Sequence, residues 1–444
     1  VFFSLEFNTL EDDYLNNLTY ENSELARYKT VFSRMRAMKP YQLGDEVENF
    51  IHQQSAVGAA AWNKLFDETI STLKFNINKE PLSLEEVLNK FSDNDRSIRK
   101  KSAKQLSSVL RQNLPLFSRI TNTLAKEKSI EDKLRKFPNP QFSRHLTNDV
   151  EPQVVDALRN AVVDSYSRTS HRYYSLKAKW LGQKKLEIWD RNAPLPKSTE
   201  KVISWNEARH IVSSAYINFD PRMEELIKPF FENGWIDAGV KPGKAPGAFS
   251  HPAVTDVHPF ILLNYQGKQR DVMTLAHELG HGVHQLLASS QGEILANTPL
   301  TLAETASVFG EMLTFKAMLS QSGNELSRKH LLASKVEDMI NTVVRQISFY
   351  DFECSLHNER RNGELTPDQI GKIWLRVGQE SLGPSFKFMK GYENFWAYVP
   401  HFVHSPFYVY AYAFGDGLVN ALYSIYESGS IDFEKNYFSL LSSG

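Results

Sequence analysis

Apolar residues recur every three or four positions among charged residues along much of the chain. This spacing places the apolar side chains on one face of a helix. It predicts helices over residues 11–36, 46–67, 83–91 and 95–127. The same pattern over residues 151–179 predicts one long helix, and Ser83 with Glu86 matches a capping box at a helix start. We therefore expect a mainly α protein.

Strand-like segments are few and short, and they cover residues 72–78, 185–189, 246–251 and 258–265. The last two lead into a helix predicted over 269–289, so we expect a small β-sheet next to that helix. The exposed edge of such a sheet can bind an extended peptide by strand addition. A hairpin that only packs on the helix is the alternative. The Pro- and Gly-dense residues 239–247 predict a shaped loop.

Composition excludes several classes of protein. The 444 residues hold 51 Lys and Arg against 52 Asp and Glu, and this balance argues against a nucleic-acid binder. The single cysteine, Cys354, excludes an intrachain disulfide and a cysteine-rich zinc site, and it is typical of a cytoplasmic protein. The sequence has no apolar run of the roughly 18 residues that span a bilayer. We therefore expect no nucleic-acid partner and no membrane partner, and the oligomeric state stays open.

The predicted helix over 269–289 carries the pattern H-E-x-x-H. His277 and His281 lie four residues apart, so one helical turn stacks their rings on the same face, where they can hold one Zn²⁺. Glu278 is close enough to act as a general base on a metal-bound water without being a ligand. Gly280 and Gly282 either let another element approach closely or simply loosen the helix. A surface helix with coincidental histidines is the alternative.

A catalytic zinc site needs a third protein ligand. His284 lies only three residues beyond His281 and points to a different part of the helix face, so we do not take it as a ligand. Glu304 follows His281 by 23 residues, which leaves room for a turn and a returning helix, and it lies among apolar residues. Glu311, two turns further on, is either a hydrogen-bond acceptor for a ligand histidine or a solvated carboxylate.

Glu304 has a second interpretation as a helix cap. Thr301 and Glu304 have the spacing of a capping box. Pro299 suits the first helical position with Thr298 as the cap, and this arrangement would put Glu304 inside the helix. We favour the ligand over the cap.

Two histidines lie close to three tyrosines near the C-terminal end, at His401, His404, Tyr408, Tyr410 and Tyr412. Tyrosine O–H and histidine N–H groups can stabilise the oxyanion that forms when an amide is hydrolysed. Tyr408 and Tyr412 share a face if the segment is helical, and Tyr410 joins them only if it is extended. An aromatic core stripe is the alternative.

Three segments resemble the oligoendopeptidase F branch of the thimet oligopeptidase family of zinc metallopeptidases: His277-Glu-Leu-Gly-His281-Gly-Val-His284, Leu302-Ala-Glu304-Thr-Ala-Ser and Pro406-Phe-Tyr-Val-Tyr-Ala-Tyr412. The similarity extends over essentially the whole chain. It implies one Zn²⁺ per chain, with ligands His277, His281 and Glu304, and Glu278 as the catalytic base and acid. His401 and Tyr408 match the family's downstream His and Tyr best.

The resemblance also implies a fold and a substrate site. The fold is a helical clamshell with a deep substrate channel, divided into an N-terminal helical domain (1–90) and a catalytic domain (91–444). Family members extend further at both ends, so we expect the chain to be truncated there. Substrate contacts are expected at the glycine-bearing segment and in the C-terminal segment, namely at Gly247, Ala248, Phe249 and His404.

The predicted activity is zinc-dependent endopeptidase cleavage of short unfolded oligopeptides, by Glu278-assisted attack of a zinc-bound water. Two alternatives remain. A helical zinc carboxypeptidase would need a group that grips the substrate's terminal carboxylate, and Arg345 or Arg376 could serve. A non-catalytic peptide-binding scaffold is the other, and the presence of Glu278 counts against it.

Overall fold

The structure is a computed structural model that describes residues 2–196, 202–241, 244 and 247–444. Residue 1 of the predicted N-terminal domain lies outside the described residues. So do residues 242, 243, 245 and 246, which belong to the predicted loop over 239–247 and, for residue 246, to the predicted strand over 246–251.

Helices account for most of the described chain. They are α1 (Phe2–Thr9), α2 (Asp12–Glu21), α3 (Ser23–Ala26), α4 (Lys29–Ala37), α5 (Asp45–Gln54), α6 (Ala59–Thr72), α7 (Leu84–Asn89), α8 (Arg96–Arg135), α9 (Phe142–Thr147), α10 (Pro152–Ser165), α11 (Ser170–Trp180), α12 (Trp205–Phe219), α13 (Arg222–Glu232), α14 (Gln269–Ala288), α15 (Leu300–Gln321), α16 (Glu325–Met339), α17 (Arg345–Arg360), α18 (Pro367–Leu382), α19 (His401–His404), α20 (Tyr410–Glu427) and α21 (Phe433–Leu441).

The strands are short and form three small sheets. They are β1 (Phe75–Ile77), β2 (Glu80–Leu82), β3 (Leu186–Glu187), β4 (Ile236–Asp237), β5 (Phe249–His251), β6 (Phe260–Leu262) and β7 (Phe386–Lys387). β1 and β2 form an antiparallel hairpin, β3 pairs with β7 in parallel, and β4, β6 and β5 form a sheet in that order. The β1–β2 turn, Asn78 and Lys79, has positive φ at both residues, as a type I′ hairpin turn requires.

The predicted fold class is confirmed: the chain is mainly α, and the small sheet lies next to α14. Ser250 of β5 donates from Oγ to Oε1 of Gln285 on α14 at 2.8 Å, which ties the sheet to that helix. The capping box of α7 is present, with Ser83 and Glu86 bonded in both directions. No helix in the described part of the chain has the length and apolar character needed to cross a membrane.

The long helix predicted over 151–179 is wrong, because the structure has two helices there, α10 and α11. Hydroxyl groups explain the interruption. Ser165 Oγ donates to the carbonyl of Val162 at 2.7 Å, and Thr169 Oγ1 donates to the carbonyl of Ser165 at 2.9 Å. Such side-chain bonds compete with helical backbone bonds, and Thr169 leaves the helical region with φ −106° and ψ −94°.

The chain forms two compact units. The first unit comprises Val1–Pro196 and Val343–Tyr410, and the second comprises Lys197–Thr342 and Ala411–Gly444. Each unit combines two separate stretches of the chain. The domain boundary expected at residue 90 stays a prediction. The core of the second unit surrounds α14, whose residues Val272, Leu275, Ala276 and Leu279 are fully buried.

Candidate active site

Two histidines and a glutamate converge on one point in the second unit. The Nε2 atoms of His277 and His281 on α14 lie 3.2 Å apart. Oε2 of Glu304, on α15, lies 3.4 Å from the first and 3.6 Å from the second. Among the described residues these three form the group of metal-ligand side chains found close together. The sequence-predicted ligands are therefore brought together by two helices.

The spacing of these three atoms fits a tetrahedral metal site. Bonds of 2.0–2.1 Å at tetrahedral angles put neighbouring ligand atoms about 3.3–3.4 Å apart. The observed separations of 3.2, 3.4 and 3.6 Å bracket that value. Two imidazoles and one carboxylate are also a ligand set that catalytic zinc uses, with the fourth position open. The residues present can therefore hold one zinc ion.

Gly280 explains why α15 comes so close to α14. A Cβ atom at this position would lie 2.5 Å from the carbonyl oxygen of Ala306 and 2.6 Å from Cα of Ser307. A side chain there would push α15 away and carry Glu304 with it. Gly282 allows a second close contact, because its Cβ would lie 2.6 Å from the ring of Phe230. The interpretation of these glycines as close-approach positions fits the structure better than a loosened helix.

The capping interpretation of Glu304 does not hold. Helix α15 begins at Leu300 and its N-cap is Pro299, without a side-chain cap bond, so Glu304 lies inside the helix. Thr298 is therefore not the cap, and its hydroxyl lies 3.4 Å from Nε2 of His284. The carboxylate of Glu304 instead accepts a hydrogen bond from Ser307 Oγ at 2.7 Å. This bond holds the carboxylate beside the two histidines.

Glu311 contacts one ring nitrogen of His277, and Glu304 lies near the other. Nδ1 of His277 donates to Oε1 of Glu311 at 2.6 Å. Burial raises the pKa of Glu311, but the hydrogen bond and charge of His277, with Lys335, bring it below its usual value. Of the two interpretations of Glu311, the structure favours the hydrogen-bond acceptor. An acceptor at Nδ1 leaves the Nε2 lone pair of His277 for a metal.

The two histidines of this group have opposite pKa shifts. Burial lowers the pKa of both. For His277, the hydrogen bond and charge of Glu311, with Glu304 and Glu278, outweigh burial and raise its pKa to about 9. For His281, burial dominates and its pKa falls to about 4.

Glu278 is only 6% exposed and lies beside the ligand group on α14. Burial raises its pKa to about 7; the charge of His277 opposes this rise, while Glu304 and Glu311 add to it. A carboxyl group that titrates near neutral pH can both accept and return a proton, which is what general acid–base chemistry needs.

The histidine–tyrosine segment is neither one helix nor one strand. Helix α19 ends at His404, a turn follows with Phe407 at φ 61°, and α20 begins at Tyr410. In the first unit, the rings of His401 and Tyr408 are nearly parallel, with centroids 6.1 Å apart. Burial, followed by the charges of Arg345 and His404, lowers the pKa of His401. Tyr412 lies on α20 in the second unit.

Two of the predicted site residues have structural partners in the first unit. The hydroxyl of Tyr410 is buried, accepts a hydrogen bond from Asn148 Nδ2 at 2.9 Å and lies 3.1 Å from Nδ1 of His145. His404 Nε2 lies 2.8 Å from Oδ1 of Asp67. These contacts favour structural roles for Tyr410 and His404.

The predicted substrate segment leads into the edge strand β5. Gly247 has φ 82°, and its carbonyl accepts a hydrogen bond from Asn264 Nδ2 at 3.0 Å. Ala248 packs against the core of the second unit. The side chain of Phe249, the first residue of β5, is 46% exposed. These placements are compatible with substrate contacts, which stay a prediction.

Sequence reasoning did not assign roles to Ser307 and Lys335. Ser307 is three residues from Glu304, so helical spacing could have identified it as a partner of that carboxylate. Nζ of Lys335, on α16, lies 3.6 Å from Oε2 of Glu311. No sequence spacing connects Lys335 with Glu311, because their contact depends on how α16 packs on α15.

Known proteins match most of this chain. The family model for Peptidase family M3 matches residues 91–444, and the model for Oligopeptidase F matches residues 6–75. Oligopeptidase PepF of Bacillus subtilis is 25% identical over 94% of this chain and 63% of its own length. An oligoendopeptidase F homolog of Lactococcus lactis is 26% identical over the whole chain and 74% of its own length. The chain thus spans less than two thirds of the Bacillus relative.

The fold has also been seen in a solved structure. Oligoendopeptidase-F from Enterococcus faecium superimposes with a TM-score of 0.75 at 21% identity, covering all of this chain and 75% of that one. This likeness concerns the fold. The family-model match covers more than half of the sequence and includes the two helices that carry His277, His281 and Glu304. The chain therefore belongs to Peptidase family M3.

Proposed function

We propose that this protein is a zinc-dependent endopeptidase that hydrolyses short unfolded oligopeptides. The observation that carries the proposal is the convergence of three ligand atoms, 3.2–3.6 Å apart, beside the buried carboxyl of Glu278. Membership of Peptidase family M3 and similarity to oligopeptidases support the reaction class.

His277, His281 and Glu304 would hold the zinc ion, which when bound supplies Lewis-acid activation of water and of the scissile carbonyl. Glu278 accepts the proton of the attacking water. It then returns this proton to the leaving amine, so the same carboxyl acts first as base and then as acid. A pKa of about 7 for Glu278 suits both steps near neutral pH.

Hydrolysis also needs hydrogen-bond donors for the oxyanion. We assign this role to Tyr408, with His401 stacked beside it at 6.1 Å between ring centroids. Both belong to the part of the chain that resembles the family's downstream His and Tyr. Tyr410 is left out of this assignment because its hydroxyl is already bound to Asn148.

The substrates we propose are peptides in extended conformation. β5 lies at the edge of its sheet, and it is linked to α14 through Ser250 and Gln285. A peptide added to this edge would run alongside the helix that carries Glu278. We place the activity in the cytoplasm. Disulfides are rare in that reducing compartment, and a chain whose single cysteine is Cys354 cannot form one within itself.

The test is the variant E278Q. It removes the base and keeps all three ligands, so zinc content should equal that of wild type while peptide turnover falls by about 100-fold or more. E325Q, which changes an exposed carboxylate at the start of α16, is the matched control and should keep full turnover. Turnover close to wild type in zinc-loaded E278Q would contradict the role of Glu278.

A peptide pair tests endopeptidase against carboxypeptidase action. Arg376, one of the two arginines that could grip a terminal carboxylate, is bonded to Ser355 Oγ at 2.8 Å and lies 3.6 Å from Glu380. The guanidinium of Arg345 lies over the ring of Phe349 at 4.9 Å. An endopeptidase should cleave a peptide and its C-terminally amidated form at similar rates. Cleavage of the free form alone would favour a carboxypeptidase, with Arg345 as the first residue to replace.

A further inference from the structure

We propose that Lys335 is a positioning residue for the metal site: it anchors the carboxylate of Glu311, which in turn orients the ligand His277. The inference rests on the proposed function, because it concerns how tightly the site holds zinc. Lys335 lies on α16, one helix beyond the helices that supply the ligands.

The contacts form a continuous chain from Lys335 to the ligand atoms. Nζ of Lys335 lies 3.6 Å from Oε2 of Glu311, and Oε1 of the same carboxylate lies 2.6 Å from Nδ1 of His277. The carboxylate of Glu311 is thus held from both sides, one oxygen by each partner. On the opposite side of the imidazole, Nε2 of His277 faces Glu304 at 3.4 Å.

Lys335 is buried, with its side chain only 10% exposed. A buried ammonium group is costly unless a carboxylate offsets its charge. Besides Glu311, the acids that act on this region are Asp338 and Asp416. Within the described residues, the carboxylate found in ion-pair contact with Nζ is that of Glu311. The ion pair of Lys335 is therefore with Glu311, the acid that also contacts His277.

A fixed acceptor at Nδ1 determines which nitrogen of His277 keeps its proton when the other nitrogen binds a metal. With Nδ1 bonded to Glu311, the nitrogen left for a metal is Nε2, which faces His281 and Glu304. Without Lys335, the carboxylate of Glu311 would lose one of its two anchors and could rotate away from the imidazole. The ring of His277 would then be held less firmly, and zinc would bind more weakly.

The experiment measures the zinc dissociation constant by competition with a chelator. K335M should weaken zinc binding by about 10- to 100-fold, the range typical of residues that support metal ligands. K316M is the matched control: Lys316 pairs with Glu427 at 2.6 Å on the exposed side of α15, and its loss should leave the constant within about twofold. K335Q, which keeps a polar side chain, replaces K335M if the latter does not fold.

A double-mutant cycle tests the route of the effect. If Lys335 acts through Glu311, E311Q/K335M should bind zinc no more weakly than E311Q alone. Multiplied effects in the double variant, or a K335M and K335Q constant equal to wild type, would overturn the proposal. A wild-type protein that fails to bind zinc would instead overturn the proposed function, so the two failures are distinguishable.

Discussion

The metal-ligand group of the second unit and the His401–Tyr408 segment of the first unit are built in opposite ways. His277 and His281 owe their proximity to one turn of a helix, a local geometry that any helix-forming sequence reproduces. His401 and Tyr408 are separated by the end of α19 and by a turn in which Phe407 has a left-handed backbone. The comparison shows that local periodicity brings together the residues of the first group, whereas distant contacts bring together those of the second.

Distant residues hold the turn before Tyr408. The backbone N–H of Phe407 donates to Oε1 of Glu353 at 2.8 Å, and Arg144 Nε donates to the carbonyl of Pro406 at 3.0 Å. These partners are 54 and 262 residues away in the sequence. A positive φ at phenylalanine is unfavourable by itself, so these bonds are needed to maintain it.

Of the predicted changes, the largest is the loss of zinc affinity in E304A, which concerns the metal-ligand group. Loss of a residue that only supports a metal ligand weakens metal binding by up to about 100-fold. Removal of one of the three proposed ligands should weaken zinc binding by more than that. Chelator should lower the melting temperature of wild type and leave that of E304A nearly unchanged, because a ligand stabilises only the protein that binds it. Stoichiometric zinc in dialysed E304A, measured by elemental analysis, would refute the ligand role.

The second prediction concerns the His401–Tyr408 segment and the neighbouring Tyr410. Y408F should lower kcat by about 100- to 1000-fold with little change in KM, because an oxyanion donor acts in the transition state. Y410F should instead lower the free energy of unfolding by about 1 kcal/mol, the value of its hydrogen bond, and leave kcat unchanged.

Steady-state kinetics and urea unfolding on both variants, with zinc in excess, check this contrast. Y412F completes the set. An unchanged kcat in all three variants would remove the tyrosines from the reaction and leave His401 as the candidate donor.

A third prediction tests whether local periodicity is enough for the metal ligands. G280A puts a Cβ atom 2.5 Å from the carbonyl of Ala306, so α15 must shift. We expect a loss of about 1–3 kcal/mol of stability, together with weaker zinc binding, because Glu304 moves with α15. In G417A on α20, the new Cβ has no atom within 4 Å, and this control should gain up to about 1 kcal/mol. Wild-type zinc affinity in G280A would show that the close approach is not required.

The smallest effect is expected for E353Q, which tests the support of the turn before Tyr408. Burial raises the pKa of Glu353 to about 8, against the opposing influence of the Phe407 N–H and Arg144. Between pH 4.5 and about 8 the folded state keeps a proton that the unfolded state has lost, so wild-type stability falls as the pH rises through this window.

Glutamine is neutral at every pH and still offers an oxygen to Phe407. The increase in unfolding free energy that E353Q gives over wild type should therefore be greater at pH 7 than at pH 6, by on the order of 1 kcal/mol. E359Q, at an exposed position of the same helix, should show no such difference. Equal changes at both pH values would contradict the raised pKa of Glu353.

These contrasts explain what the sequence could predict. Helical spacing is enough to place His277 and His281 together and to put Glu278 beside them. The ligand role of Glu304 needs the return helix, and the signal for it lies in Gly280 and in the burial of an acid. The interruption between α10 and α11 was missed because apolar periodicity continues through it, while the hydroxyl groups that break the helix carry no periodic signal.

Lys335 and Glu353 were beyond prediction for a different reason. Each acts through a contact with a residue that is distant in the sequence. Lys335 contacts Glu311 on another helix, and Glu353 contacts Phe407 in a turn. Helical spacing can indicate that a charged residue lies on a buried face, but it does not tell which distant helix or turn that residue will contact.

The ligand spacing also bears on which ion the site selects. Two imidazoles and a carboxylate are the ligand set of ferrous oxygenases too, where three neighbouring positions of an octahedron are occupied. Octahedral bonds of similar length bring neighbouring ligand atoms to about 2.9–3.1 Å, closer than tetrahedral bonds do. The separations of 3.4 and 3.6 Å between Glu304 and the histidines lie nearer to the tetrahedral value. Because Gly280 lets α15 come close to α14, the residue at this position also influences which ion the three side chains would fit.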